Sequence, residues 1–206
     1  MAAPNKRSPG RPKRGEADPK LKETILQTAS RAFMEMGFEA VSLEQIAQTC
    51  GITKASIYYY FPNKAALFSE AIVRMMGNIR RLTASLMEQP LPLRTRLEQV
   101  AEGHMRQAHL EFEGLMKEAG PSLSEEQVCS IREAERLIHE EMAERFRQAM
   151  ASGDIREADP MLLAYGFEAI MMMSSRDRLL ARFPSPAEAA KAIVELYWYG
   201  LAPVTR

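Results

Sequence analysis

The residues that could do chemistry in this 206-residue chain do not assemble into a catalytic centre. Its three histidines are His104, His109 and His139. His104 and His109 stand five apart, so they do not share a helical face as an i, i+4 pair would. No His/Cys group has zinc-ligand spacing. No glycine-rich phosphate loop and no nucleophile elbow is present. Catalytic residues, metal ligands and cofactors are therefore not expected. Cys50 and Cys129 lie far apart and, with no secretory leader legible at the N-terminus, read as reduced thiols of a cytoplasmic protein. The informative polar group is Thr53-Lys54-Ala55-Ser56. These short or flexible side chains at a helix N-terminus suit insertion into a DNA major groove, where hydrogen bonds to base edges read sequence.

Such a group needs elements to hold it. Asp18 as N-cap, Pro19 at the first helical position and Gly37 as terminator predict a helix over 19–36. Ile25, Ala29, Ala32, Phe33 and Met36 recur along it at helical spacing. Ser42 and Gln45 form a capping box for a short helix over 43–49. Thr53 caps a second short helix over 54–60, and Gly51 lies in the tight turn between them. Leu43, Ile46, Ala47 and Ile52 would face a core, with Ala47 small enough for close helix packing. This is a helix-turn-helix pattern, although two surface helices of an ordinary bundle would read similarly.

A long helix is predicted from 64 to 87, and Pro90 and Pro92 mark a boundary. Helices follow over 93–118, with a break near Glu113-Gly114, then over 125–151, 160–182 and 186–200. Strand-type alternation is absent, so the fold class is all-α. At 46% hydrophobic and 26% charged residues, the composition excludes a disordered or fibrous chain. No apolar run approaches the roughly 18–20 residues of a membrane span. The net charge is zero but unevenly spread. Residues 1–81 carry 13 Lys/Arg against 7 Asp/Glu, and residues 82–206 carry 14 against 20. A basic first part and an acidic second part suggest that only the first meets a polyanion. Nucleic acid is the common such partner, and an anionic membrane or protein surface is the rival.

The stretch from Ala47 through Gly51-Ile52-Thr53-Lys54-Ala55-Ser56-Ile57-Tyr58-Tyr59-Tyr60-Phe61 to Lys64 and Leu67-Phe68 resembles the signature of TetR-family transcriptional regulators. Ile52 stands where valine is usual. The resemblance covers about residues 20–68. It implies a helix-turn-helix DNA-binding domain over 18–64 and a helical ligand-binding and dimerisation domain over 65–206. It also implies a homodimeric repressor that a small apolar inducer releases from a pseudo-palindromic, double-stranded operator. Thr53, Lys54, Ala55 and Ser56 would lie at the major-groove edge. Ser42, Tyr58, Tyr59 and Lys64 would meet sugar-phosphate, with Ile57, Tyr60 and Phe61 packed inward.

Two regions lie outside that signature. Residues 1–17 form a basic arm whose Gly10-Arg11-Pro12 resembles an AT-hook core. Arg11 would sit in a narrow minor groove, or the arm would attract DNA without reading it. In the second half, Met75, Met105, Phe112, Met116, Phe146, Tyr165 and Trp198 are the candidate pocket residues. The 14 methionines suit either an adaptable pocket or plain core filling. Arg176, Asp177 and Arg178 would form ion pairs near a dimer contact or a solvated face.

Overall fold

The computed structural model describes residues 18–105, 112–175 and 180–200. The regular elements among them are all helical. They are α1 (Pro19–Met36), α2 (Leu43–Thr49), α3 (Lys54–Tyr60), α4 (Lys64–Met87), α5 (Leu93–Met105), α6 (Phe112–Ala119), α7 (Glu125–Ala151), α8 (Pro160–Met171) and α9 (Pro186–Trp198). Arg11, His109, Arg176, Asp177 and Arg178 lie outside the described residues.

Local chemistry sets most boundaries. The Asp18 carboxylate accepts from the Lys20 N–H at 2.9 Å, and Pro19 opens α1. Ser42 and Gln45 make a reciprocal capping box, as do Ser124 and Gln127. Gly37, at φ +86°, ends α1, a backbone state that side chains with a Cβ resist. Two expected boundaries differ. Helix α6 continues through Glu113-Gly114, where a break was expected. Glu113 is bonded there to Arg132 of α7, and Leu115, Met116 and Ala119 are buried, so tertiary packing outweighs the glycine. Helix α8 ends at Met171, well short of 182, and tightens into a 3-10 turn over Met172–Ser175. The 3-10 turn begins at Met172 and includes Ser174-Ser175, residue types of lower helix propensity.

Two apolar cores organise the molecule. The first joins α1, α2 and α3 to the start of α4, and includes Leu115, Met116 and Ala119 of α6 and Ile131 of α7. At its centre Phe33, Phe38 and Phe68 meet with ring centroids 5.0–5.9 Å apart, two of the three contacts edge-on. The second core joins the end of α4 to α5, α8, α9 and the C-terminal half of α7. Helices α4 and α7 touch both cores. Ile72 and Ile131 share the first. Met87 and Phe146 share the second, and Glu88 bonds Arg145 at 2.8 Å. The two helices therefore run side by side in the same direction.

Candidate nucleic-acid interface and ligand cavity

Helix α3 divides its residues cleanly. Ile57 is fully buried and Phe61, just beyond the helix, is 1% exposed, so these two fix the inner face. Lys54 and Tyr58 form one outward row and Ala55 and Tyr59 the next, each pair four residues apart. Tyr58 and Tyr59 are 48% and 63% exposed. Thr53 spends its hydroxyl locally: Oγ1 accepts from the Ser56 N–H at 3.2 Å and lies 2.8 Å from Ser56 Oγ. Ser42 Oγ likewise accepts from the Gln45 N–H. Both hydroxyls are exposed beside helix N-termini, where the backbone dipoles favour an anion. Lys54 is exposed and 3.8 Å from Glu44, a loose surface pair of little energetic weight.

Tyr60 and Lys64 do more than their spacing suggests. The Tyr60 ring packs against the first core, and its hydroxyl accepts from the Asp18 N–H at 3.0 Å. That bond ties the C-terminal end of α3 to the point where the basic arm joins α1. Lys64 Nζ donates to the Glu39 carbonyl at 3.1 Å and stands 4.5 Å from the centroid of the Phe38 ring. An ammonium has three donors, so this bond leaves two for a phosphate.

The turn that Lys64 grips is held from the other side by the second half of the chain. The Glu118 carboxylate of α6 accepts from the Phe38 N–H at 3.1 Å and from the Glu39 N–H at 2.6 Å. A Cβ on Gly37 would stand 2.8 Å from Glu118 Oε2. The glycine thus answers both a positive φ and this close approach. Sequence reasoning missed Glu118, because nothing local marks a carboxylate that acts some eighty residues away.

A cavity of about 680 Å³ lies between the two cores. Met34 and Met76 of the first core and Met142 and Phe167 of the second face it. Of the expected pocket residues, Met75 and Phe112 line it. The other five lie elsewhere. Met105 and Phe146 are buried in the second core, Met116 in the first, and Trp198 packs on the second. Tyr165 is 48% exposed, with its ring 4.5 Å from that of His139. Helix α1 also contributes to the wall, through Ser30, Arg31, Met34 and Glu35. The helix-turn-helix unit itself therefore closes one side.

The inner wall is not wholly apolar. His139 is 7% exposed, and its Nε2 lies 2.7 Å from Glu168 Oε2. This bond raises the imidazole above its ordinary titration range, against the opposing effect of burial. Among the described residues, no group of three or more His, Cys, Asp or Glu is placed to hold a metal ion. No helix among them is long and apolar enough to cross a membrane.

Comparison with known proteins follows the same division. Residues 25–71, which include α2, α3 and their turn, match the family model described as bacterial regulatory proteins, tetR family. The HTH-type transcriptional regulator YhgD of Bacillus subtilis is 24% identical over 180 residues, covering 85% of this chain and 93% of that one. RutR of Escherichia coli is 40% identical over 67 residues, 32% of this chain and 31% of its own. FadR of Bacillus subtilis, solved with stearoyl-CoA, shares the fold with a TM-score of 0.66 at 18% identity, over 84% of this chain and 96% of that one.

Proposed function

The chain belongs to the TetR family through its N-terminal helix-turn-helix domain, and from that premise we propose that it is a homodimeric, non-catalytic repressor released from its operator by a small, largely apolar ligand. That it is a DNA-binding transcriptional regulator follows from the family. The observation that carries the fuller reading is the placement of the cavity. It lies against both α1 and α4, so a molecule inside it touches the DNA-binding unit and the helix leading out of it.

Recognition works as follows. Lys54 and Ala55 face base edges, while Ser42, Tyr58, Tyr59 and two Lys64 protons meet phosphates. Two such units, about 34 Å apart in a dimer, read a pseudo-palindrome. The dimer contact is built on α8 and α9, where Leu162, Tyr165 and Leu196, with Tyr199 just beyond α9, are 48–74% exposed on the monomer. Such a concentration of large apolar side chains at the surface favours a covering partner. A ligand shifts the operator equilibrium only through its different affinity for the two states. Phe112 at the cavity and Glu118 on the 37–39 turn are on one short helix, so a ligand displacing α6 disturbs the seat of the DNA-binding domain. The fold shared with FadR, solved with stearoyl-CoA, supports a small-molecule ligand.

The test is selection of bound sequences from a random DNA pool, then a release screen on the selected site. A two-fold symmetric site retained against competitor DNA is expected. Retention that shows no sequence preference overturns the reading and favours a basic module for anionic surfaces.

A further inference from the structure

The cavity contains a buried polar group with nothing to bond. Thr83 of α4 is 7% exposed and lies on the wall. A threonine inside a helix commonly turns its hydroxyl onto a carbonyl one turn back, as Thr24 and Thr49 do here. Among the described residues Thr83 makes no such bond and no other. Its oxygen is not among the buried atoms sealed away without a partner, so it opens onto the cavity. A hydroxyl that faces the cavity and bonds no described residue can donate to a ligand oxygen.

The level of Thr83 is set by its helix. Helices α4 and α7 run in the same direction, and Glu88 of one bonds Arg145 of the other. Thr83 is five residues before Glu88 and His139 is six before Arg145. The hydroxyl and the His139–Glu168 pair therefore stand at nearly the same height on the wall.

The charges of the wall select the ligand further. Its two inner carboxylates are already matched: Glu168 by His139, and Glu135 by Arg132 at 2.9 Å. Arg31 and Glu35 are exposed, opposite in sign, and one turn apart on α1. His104 of α5 adds an imidazole. Among the described residues of the wall, no inner carboxylate is left to receive an ammonium, and no inner guanidinium or ammonium to receive a carboxylate. Burying an ion without a partner is far more costly than burying a hydrogen-bonded neutral group.

We infer that the cavity takes an uncharged amphipathic molecule, with its apolar body among Met34, Met75, Met76 and Met142 and a carbonyl or hydroxyl oxygen bonded to Thr83. This deepens the ligand part of the proposed function and rests on it. The methionines admit varied body shapes, so selectivity comes from the single oxygen.

The test is calorimetric titration of the full chain, without DNA and at neutral pH. The probes share one decyl chain: decanol, decyl methyl ketone, undecanoate and decylammonium. The alcohol and ketone are expected to bind, and the two ions at least about tenfold more weakly. Thr83→Val, nearly isosteric, should weaken the ketone about tenfold, and Thr83→Ser should restore it. Three results overturn the inference: an ion binding as tightly as the ketone, an unaffected valine variant, or no probe binding. Because DNA is absent, these outcomes bear on ligand chemistry alone. Failure of the repressor reading would appear separately, in the DNA selection.

Discussion

At the scale of single residues, the proposed recognition divides the exposed positions on and beside α3 between reading and gripping. Lys54→Ala should cost about 1–3 kcal/mol at a selected site and relax base preference. Tyr58→Phe should weaken selected and random DNA alike, because a phosphate contact carries no sequence information. Lys64→Ala should do the same and also lower the melting temperature, since Nζ holds the Glu39 carbonyl. Binding to both DNA types across a salt series checks all three, and equal losses from every variant would refute the division. His139 behaves differently. Its pKa is raised by Glu168, with Glu135 adding to the effect and the Tyr165 ring packed alongside. A raised folded-state pKa gives stability that is full below the unfolded value of about 6.5 and is lost as pH rises through the folded value. The melting-temperature gap between the native chain and Glu168→Gln should be widest near about pH 6 and should shrink as the solution becomes alkaline. A gap independent of pH would show that the pair contributes no charge-dependent stability.

At the scale of elements, α6 is short but joins both functional regions. One end presents Phe112 to the cavity, and the other presents Glu118 to the turn after α1. Glu118→Ala leaves two backbone N–H groups without their acceptor and should cost about 1–2 kcal/mol in urea unfolding. Gly37→Ala should cost more than about 1 kcal/mol, through its positive φ and its crowding of the Glu118 carboxylate. Combined, the two changes should cost less than their sum, because removing the carboxylate relieves the crowding. Strict additivity would show that they act independently. Helix α4 is the other joining element. It starts beside the phosphate-facing residues, passes Met75 and Thr83 at the cavity, and ends in the second core.

At the scale of the whole molecule, the cavity occupies the gap between two cores that share α4 and α7. In the proposed mechanism, its filling is coupled to how the DNA-binding unit sits on the rest. The exposed faces of α8 and α9 give the proposed dimer its contact. Leu196→Glu should weaken dimerisation at least about tenfold in sedimentation while leaving helix content unchanged. Operator affinity should then fall, because one half-site no longer helps the other. An unchanged dimer would move the interface elsewhere. The basic residues 1–17 are proposed to add a sequence-independent attraction, so their removal should weaken binding and flatten its salt dependence. Unchanged affinity at every salt concentration would remove the arm from the mechanism.

Much of this protein was legible in the order of its residues. Caps such as Asp18-Pro19, Ser42 with Gln45 and Ser124 with Gln127 act within one turn, so the boundaries they mark appear where local chemistry places them. The split of α3 into buried Ile57 and exposed Tyr58 and Tyr59 follows from helical periodicity in the same way. The cavity does not. Periodicity says which face of a helix is turned inward, but not whether a neighbour fills the space beyond it. That is why Met105, Met116 and Phe146 are packed in the cores while Met34, Thr83 and His139 line the void. The same limit hid Glu118, whose partners are 79 and 80 residues away. Local backbone chemistry determined the helices and which residues of α3 are exposed. Contacts between segments distant in sequence, which exist only once the helices pack, decided where a ligand fits and what connects it to the DNA-binding domain.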